Sequence, residues 1–445
     1  MLKDCRGLTL TTDVQAAVDA FDHAVEGFLS YRSDVPARLA VLRRQDAEFG
    51  MGHVLQGTMM LASYQADLLP AASAALARAR PLLVSATARE QAHGAALAHW
   101  INGDMEQAIA VWEEIVQAHP HDALAFRLAH FANFWMGRPE AMLASVLRAE
   151  PAWSAALPGY VSMLACRCFA LEECGYYTEA EHAGRAAIRL DPTDLWSAHG
   201  VAHVLEMQGR RREGVDWLAS LQPRWGGGNN IKHHLWWHRA MYHLELGDMD
   251  QVLALYDAGF RDLNSPLTRA LPDLYIDVQN AASMLYRLGR HRVPVGDRWV
   301  ELADKAEARI GDCLSAFTLP HWMMALAATG RDAAADRMLA AMRDFAAADG
   351  SLPALVREVG LPVTEAVLAN MQGRDAEAVR LMRPVIGEMY RMGGSHAQQD
   401  VLEQVFLDSA LKAGLDDAVG LMLERVSARY PVPPAQRRGY AMAVA

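Results

Sequence analysis

Cysteine is scarce: five in 445 residues. An odd, small number in so long a chain argues against a disulfide framework and fits a reducing, cytoplasmic setting. Long apolar runs are missing. No stretch of about 18 apolar residues marks a membrane span, and the opening "MLKDCRGLTLTTDVQ" lacks the apolar core of a secretion signal. An excess of positive charge is missing too. The net charge is −11 with both signs mixed along the chain, which excludes the concentrated basic face of a nucleic-acid binder. Sustained apolar/polar alternation is absent, so strands are not expected. So are a Gly-rich phosphate loop, a nucleotide fingerprint, a nucleophile elbow and an HExxH pair. Kinase, dehydrogenase and α/β-hydrolase chemistries therefore have no foothold.

What is present is a helical pattern. Apolar residues make up 52% and charged residues 21%, the composition of an ordered chain. A glycine between two helical stretches recurs at Gly103, Gly137, Gly175, Gly209, Gly247, Gly289, Gly330, Gly373 and Gly414. The spacing runs from 34 residues (Gly103 to Gly137) to 43 (Gly330 to Gly373). Left-handed glycine closes one helix and a polar residue opens the next, with Pro in "AHPHD", "RAEPAW" and "RLDPTD" ending each pair. This is the arithmetic of an all-α, tetratricopeptide-repeat-like α-solenoid of roughly ten helix pairs, expected to curl around a central cavity.

Residues 1–60 read as a helical cap, starting at Thr12 and Asp13; 61–429 form the repeat array; 430–445 are a Pro-rich, extended or mobile tail. Units with periods above 40 predict longer helices or inserted turns. Cys166, Cys168 and Cys174 match no zinc spacing and read as small packing residues.

Counting back thirteen, ten, six and three residues from each turn glycine picks out one helix face. Before Gly137 the row is Leu124, Arg127, Phe131 and Phe134, with Arg127 the one clear cation of the inward rows. Before Gly209 it is Trp196, His199, His203 and Glu206; before Gly247 it is His234, Trp237, Met241 and Leu244, with His238 alongside. Before Gly289 it is Ile276, Gln279, Ser283 and Tyr286. The histidine rows therefore belong to consecutive repeats and predict a shared cavity.

The blocks "FGMGHVLQG", "VAHVLEMQGR", "HLWWHRAMYHLELG", "LPHWMMALAATGR" and "GGSHAQQDVLEQVFLDSAL" resemble the tetratricopeptide repeat protein 38 family, from about residue 50 to about residue 415. The resemblance implies a fold and a histidine set, not a settled activity. On that ground His53, His321, His396 and Asp400 join the candidates. His321 also precedes Gly330 by nine residues, as His238 precedes Gly247.

Several functions fit such a cluster. The first is a small, partly apolar ligand held by Trp196, His199, His234, Trp237, Met241, His53, His321, His396 and Asp400. The second is an enzyme in which His203, Glu206 and His238 perform acid/base or metal-assisted, hydrolysis-type chemistry. The His pairs at i, i+4 have the spacing for one metal ion, though neither metal nor cofactor is named by the pattern. A peptide- or protein-binding scaffold is the usual employment of such arrays, and a satisfied structural network is the fourth reading.

Overall fold

Helices end in this chain where the backbone turns left-handed. In the computed structural model, which describes residues 1–444, Gly103, Gly137, Gly175, Gly209, Gly247, Gly330, Gly373 and Gly414 have φ between 66° and 85°. After each, the next amide reaches back five positions to a helical carbonyl, as in Arg210 to Leu205 (2.8 Å) and Asp248 to His243 (2.9 Å). That closure satisfies carbonyls the helix end would otherwise leave without partners.

Gly289 departs from the rule. It lies inside the helix Tyr275–Arg290, and the left-handed residue is Arg292, with φ 58°. The same back-reaching bond forms there, from Val293 to Leu288 at 3.0 Å. The cause is Pro294, which drives Val293 out of the helical region and sets the stop at that point.

The chain packs as two units. The first comprises Met1–Val201, Pro223–Ile231 and Gly350–Leu352. It opens with a short antiparallel pair, Leu2–Lys3 against Thr9–Leu10, that the sequence pattern does not announce. The helices Gln15–Leu29, Val35–Gln45 and Gly50–Leu61 follow. The first of these is capped by Val14 without a side-chain cap, not by Thr12 or Asp13; the Thr12 hydroxyl accepts from the Val14 amide at 3.1 Å in the turn that precedes it.

Helix pairs then succeed one another: Ala88–Ile101 with Met105–Ala118, Ala123–Trp135 with Pro139–Ala149, and Tyr160–Glu173 with Tyr177–Leu190. First helices are buried nearly all round, as in Ala123–Trp135. Second helices bury one stripe, which in Tyr177–Leu190 is Ala180, Ala183, Gly184 and Ala187. That stripe must be small: a Cβ on Gly184 would come 2.7 Å from Cys168 Sγ. Cys166 and Cys168 are buried packing residues, as their spacing suggested.

The second unit comprises Ala202–Gln222, Lys232–Asp349 and the chain from Pro353 on. Its helices include Arg211–Leu221, Ile231–Leu246, Tyr275–Arg290, Leu319–Ala328, Leu361–Met371 and His396–Lys412. The residues that lengthen these periods form inserted turns, and some first helices are also longer, Tyr275–Arg290 having 16 residues and His396–Lys412 17. Wide π-type turns occupy Tyr256–Phe260 and Val356–Gly360, and a one-turn helix occupies Pro266–Ala270.

The C-terminal segment is not the extended or mobile end its prolines suggested. Tyr440 is 1% exposed and donates to Asp400 at 2.6 Å. The segment's carbonyls accept from Arg211 at Gln436 (2.9 Å) and from Arg290 at Gly439 (2.8 Å). Among the described residues, no helix is long and apolar enough to cross a membrane.

Candidate functional site

Two helices supply the centre of the site. Leu195–Met207 carries His203 and Glu206, and Ile231–Leu246 carries His234, Trp237, His238 and Met241. His203 and His238 are fully buried, and His234 is 2% exposed. Ring centroids are 4.4 Å apart for His203–His238 and 4.6 Å for His234–His238. His203, His234 and His238 each offer one nitrogen, and these nitrogens lie within 4.8 Å of one another.

The rings are anchored from behind. His238 meets Glu206 Oε2 through Nδ1 at 2.8 Å. His234 meets Asn280 Oδ1, on the helix Tyr275–Arg290, through Nδ1 at 2.8 Å. Both contacts consume Nδ1, so Nε2 is the atom these two rings can offer to a ligand. Trp237 lies flat against His234, centroids 5.1 Å apart and planes 10° off parallel, and fixes the ring plane.

Burial sets the protonation of the cluster. Loss of water drives His203 and His234 well below the ordinary imidazole range, and neighbouring imidazoles push the same way. Burial takes His238 down to about 3. Burial also pushes the Glu206 carboxyl up to about 8, against the pull of Arg287. Neutral imidazoles are the ligand form of histidine.

Beside Glu206 a cleft opens, lined by Glu206, Arg211, Met241, Glu245, Asp400 and Arg437 among others. Its free space for a water-sized sphere is about 30 Å³, enough for a water molecule and far below the few hundred Å³ of an organic-ligand pocket. Asp400 is an ion-pair hub. Arg437 reaches its Oδ1 at 2.5 Å and Arg287 its Oδ2 at 3.3 Å, while Gln404 and Tyr440 donate at 2.6 Å each.

The remaining candidates have local roles. In the first unit, His199 stands one turn before His203 on the same helix. Its ring stacks on Trp196 at 4.4 Å, and Tyr31 stacks on Trp196 at 5.3 Å. His53 is held through Nε2 by the Ala47 carbonyl at 2.8 Å. In the second unit, His321 binds the Phe317 carbonyl through Nδ1 at 2.8 Å. His396 is close enough to His203 to depress its protonation, and burial carries His396 itself down to about 3.

Pattern reading passed over Asn280, Arg287 and Arg437. It also passed over His233, which bonds Asp277 at 3.0 Å. Only His233 carried a usable signal, as the unexplained neighbour in "HHLWWH".

Three buried neutral imidazoles with carboxylate and carboxamide supports have the chemistry of a nitrogen-rich metal site. No family model matches the chain. A solved structure described as Naa15/Naa10 bound to HypK-THB is similar over 94% of this chain and 64% of that chain, at 12% identity and a TM-score of 0.25. The chain therefore spans less than two thirds of that protein's length.

Proposed function

We propose that this helical-repeat protein binds a divalent transition metal of the zinc type on His203, His234 and His238. Glu206 and Asn280 act as orienting partners, and a water or small polar ligand takes the fourth position.

The observation that carries this reading is the convergence of three ring nitrogens within 4.8 Å, two of the rings being anchored through the opposite nitrogen. Zinc–nitrogen bonds of about 2.0–2.1 Å require ligand atoms about 3.4 Å apart, so the three rings draw together when the metal binds. Zinc with three imidazoles and one open position lowers the pKa of bound water toward neutrality, and Glu206 lines the water-sized cleft beside it. Hydrolysis of a small molecule is the reaction class that suits this set. The blocks resembling the tetratricopeptide repeat protein 38 family carry all three ligands and Glu206.

Elemental analysis of untagged protein, incubated with equimolar zinc and gel-filtered, tests the proposal. One zinc per chain is expected, falling to the background level in His234→Ala. Retention of zinc by a variant lacking both His203 and His234, or none in the wild type, would overturn it.

A further inference from the structure

A second polar group, in the first unit and outside the histidine centre, sits on the helix Ala123–Trp135. Arg127 is 2% exposed and His130, one turn later, is 1% exposed. Elsewhere the fold matches each buried arginine with a carboxylate. Arg6 faces Asp22 (3.7 Å), Arg89 faces Asp122 (2.6 Å), Arg261 faces Glu301 (2.7 Å) and Arg287 faces Asp400 (3.3 Å).

Arg127 is the exception. Its Nη1 donates to Cys166 Sγ at 3.0 Å, and Nη2 has no acceptor. Burial pushes the Cys166 thiol up against the pull of Arg127, so it stays neutral and supplies no counter-charge. Asp194 is near enough to act on Arg127. It is itself pushed up by burial and spends Oδ1 on the Ser197 amide at 2.6 Å. His130 has no hydrogen-bond partner on either ring nitrogen, and burial together with Arg127 keeps it neutral.

The surroundings hold the guanidinium rather than neutralise it. Its carbon lies 4.8 Å from the Tyr31 ring centroid and 4.9 Å from that of Trp196, an arrangement that stabilises a cation, and the Tyr31 hydroxyl beside it, kept neutral by burial, adds a hydrogen bond but no opposite charge. A buried charge without an opposite charge is strongly unfavourable, and a folded chain keeps one where something else supplies the balance.

We infer that Arg127 and His130 form an oxyanion-binding site in the first unit, taking a carboxylate or a phosphate group. The guanidinium supplies the charge and the N–H donors of Nη2, which has no acceptor. The neutral imidazole adds a third donor.

The test uses the full chain at constant ionic strength, with inorganic phosphate and acetate as probes and chloride as the reference. Thermal unfolding and titration calorimetry read the response. Saturable stabilisation by phosphate or by acetate, beyond that of chloride, is expected, and which probe acts identifies the ligand's head group. Arg127→Met is expected to weaken that binding at least about tenfold and to match or exceed the wild type's Tm in chloride. If Arg127→Met does not fold, His130→Leu carries the comparison and loses the response. A wild type that responds to phosphate and acetate no more than to chloride overturns the assignment. So does a full response in His130→Leu.

Discussion

His238 Nδ1 lies 2.8 Å from Glu206 Oε2, joining two helices whose sequences are separated by a complete helix and a glycine-rich loop. The contact gives Glu206 a purpose beyond cleft polarity. A carboxylate behind a ligating imidazole fixes the ring and raises its basicity. Burial holds Glu206 protonated in the metal-free chain, and Glu206→Gln keeps an acceptor but cannot ionise when a metal binds. Its zinc affinity, read by competition with a chromogenic chelator, is expected to fall roughly 10–100-fold with the helical content unchanged. An affinity equal to the wild type's would remove Glu206 from the site.

Asp400 holds the C-terminal segment. Replacing it with Asn leaves Arg287 and Arg437 buried against a neutral group, and breaking such a pair typically costs about 3–5 kcal/mol. Urea denaturation of Asp400→Asn should show that loss as a lower midpoint. A change below about 1 kcal/mol would mean the segment is not anchored there.

The same carboxyl sets an acid limit. Despite the cost of burial, Arg437 and Arg287 hold Asp400 down to about 2, below its ordinary 3.8. A depressed carboxyl stabilises the fold fully above the unfolded value, and that contribution is lost as pH falls through the folded one. Asp400 should therefore contribute to acid unfolding between about pH 4 and pH 2. Wild type and Asp400→Asn measured side by side should converge over that range, and parallel curves would contradict the assignment.

The turns allow a third comparison. Arg292 is exposed and left-handed at φ 58°, so Arg292→Gly should stabilise by about 1 kcal/mol. Gly289 is helical with open space around it, and Gly289→Ala should stabilise by about 0.5–1 kcal/mol. Gly330 also has open space but a φ of 67°, so Gly330→Ala should destabilise by about 1 kcal/mol. Thermal melts of the three variants check the signs. Destabilisation by Gly289→Ala would put the turn back at Gly289.

The helix ends were legible because one residue type sets each of them: eight of the nine marked glycines have left-handed backbone. The ninth failed for a local reason, the proline two residues after Arg292. His203, Glu206 and His234 were legible because a 3-4-3 spacing selects one helix face, with His238 only beside that row. Asn280 and Arg287 were not. Their helix is buried without a break from Asp277 to Leu288, so no single face can be singled out from spacing. Arg437 was hidden differently. An arginine in a Pro-rich stretch looks solvated, and only long-range packing against Tyr430, Tyr440 and Asp400 makes it a core residue.

A crystal structure of the zinc-loaded chain, with anomalous data collected at the zinc edge, tests the central claim most directly. The account predicts one strong peak about 2.0–2.1 Å from a nitrogen each of His203, His234 and His238, with Glu206 still bonded to His238 Nδ1. Zinc at other residues only, with the three rings unshifted and no peak among them, would contradict it.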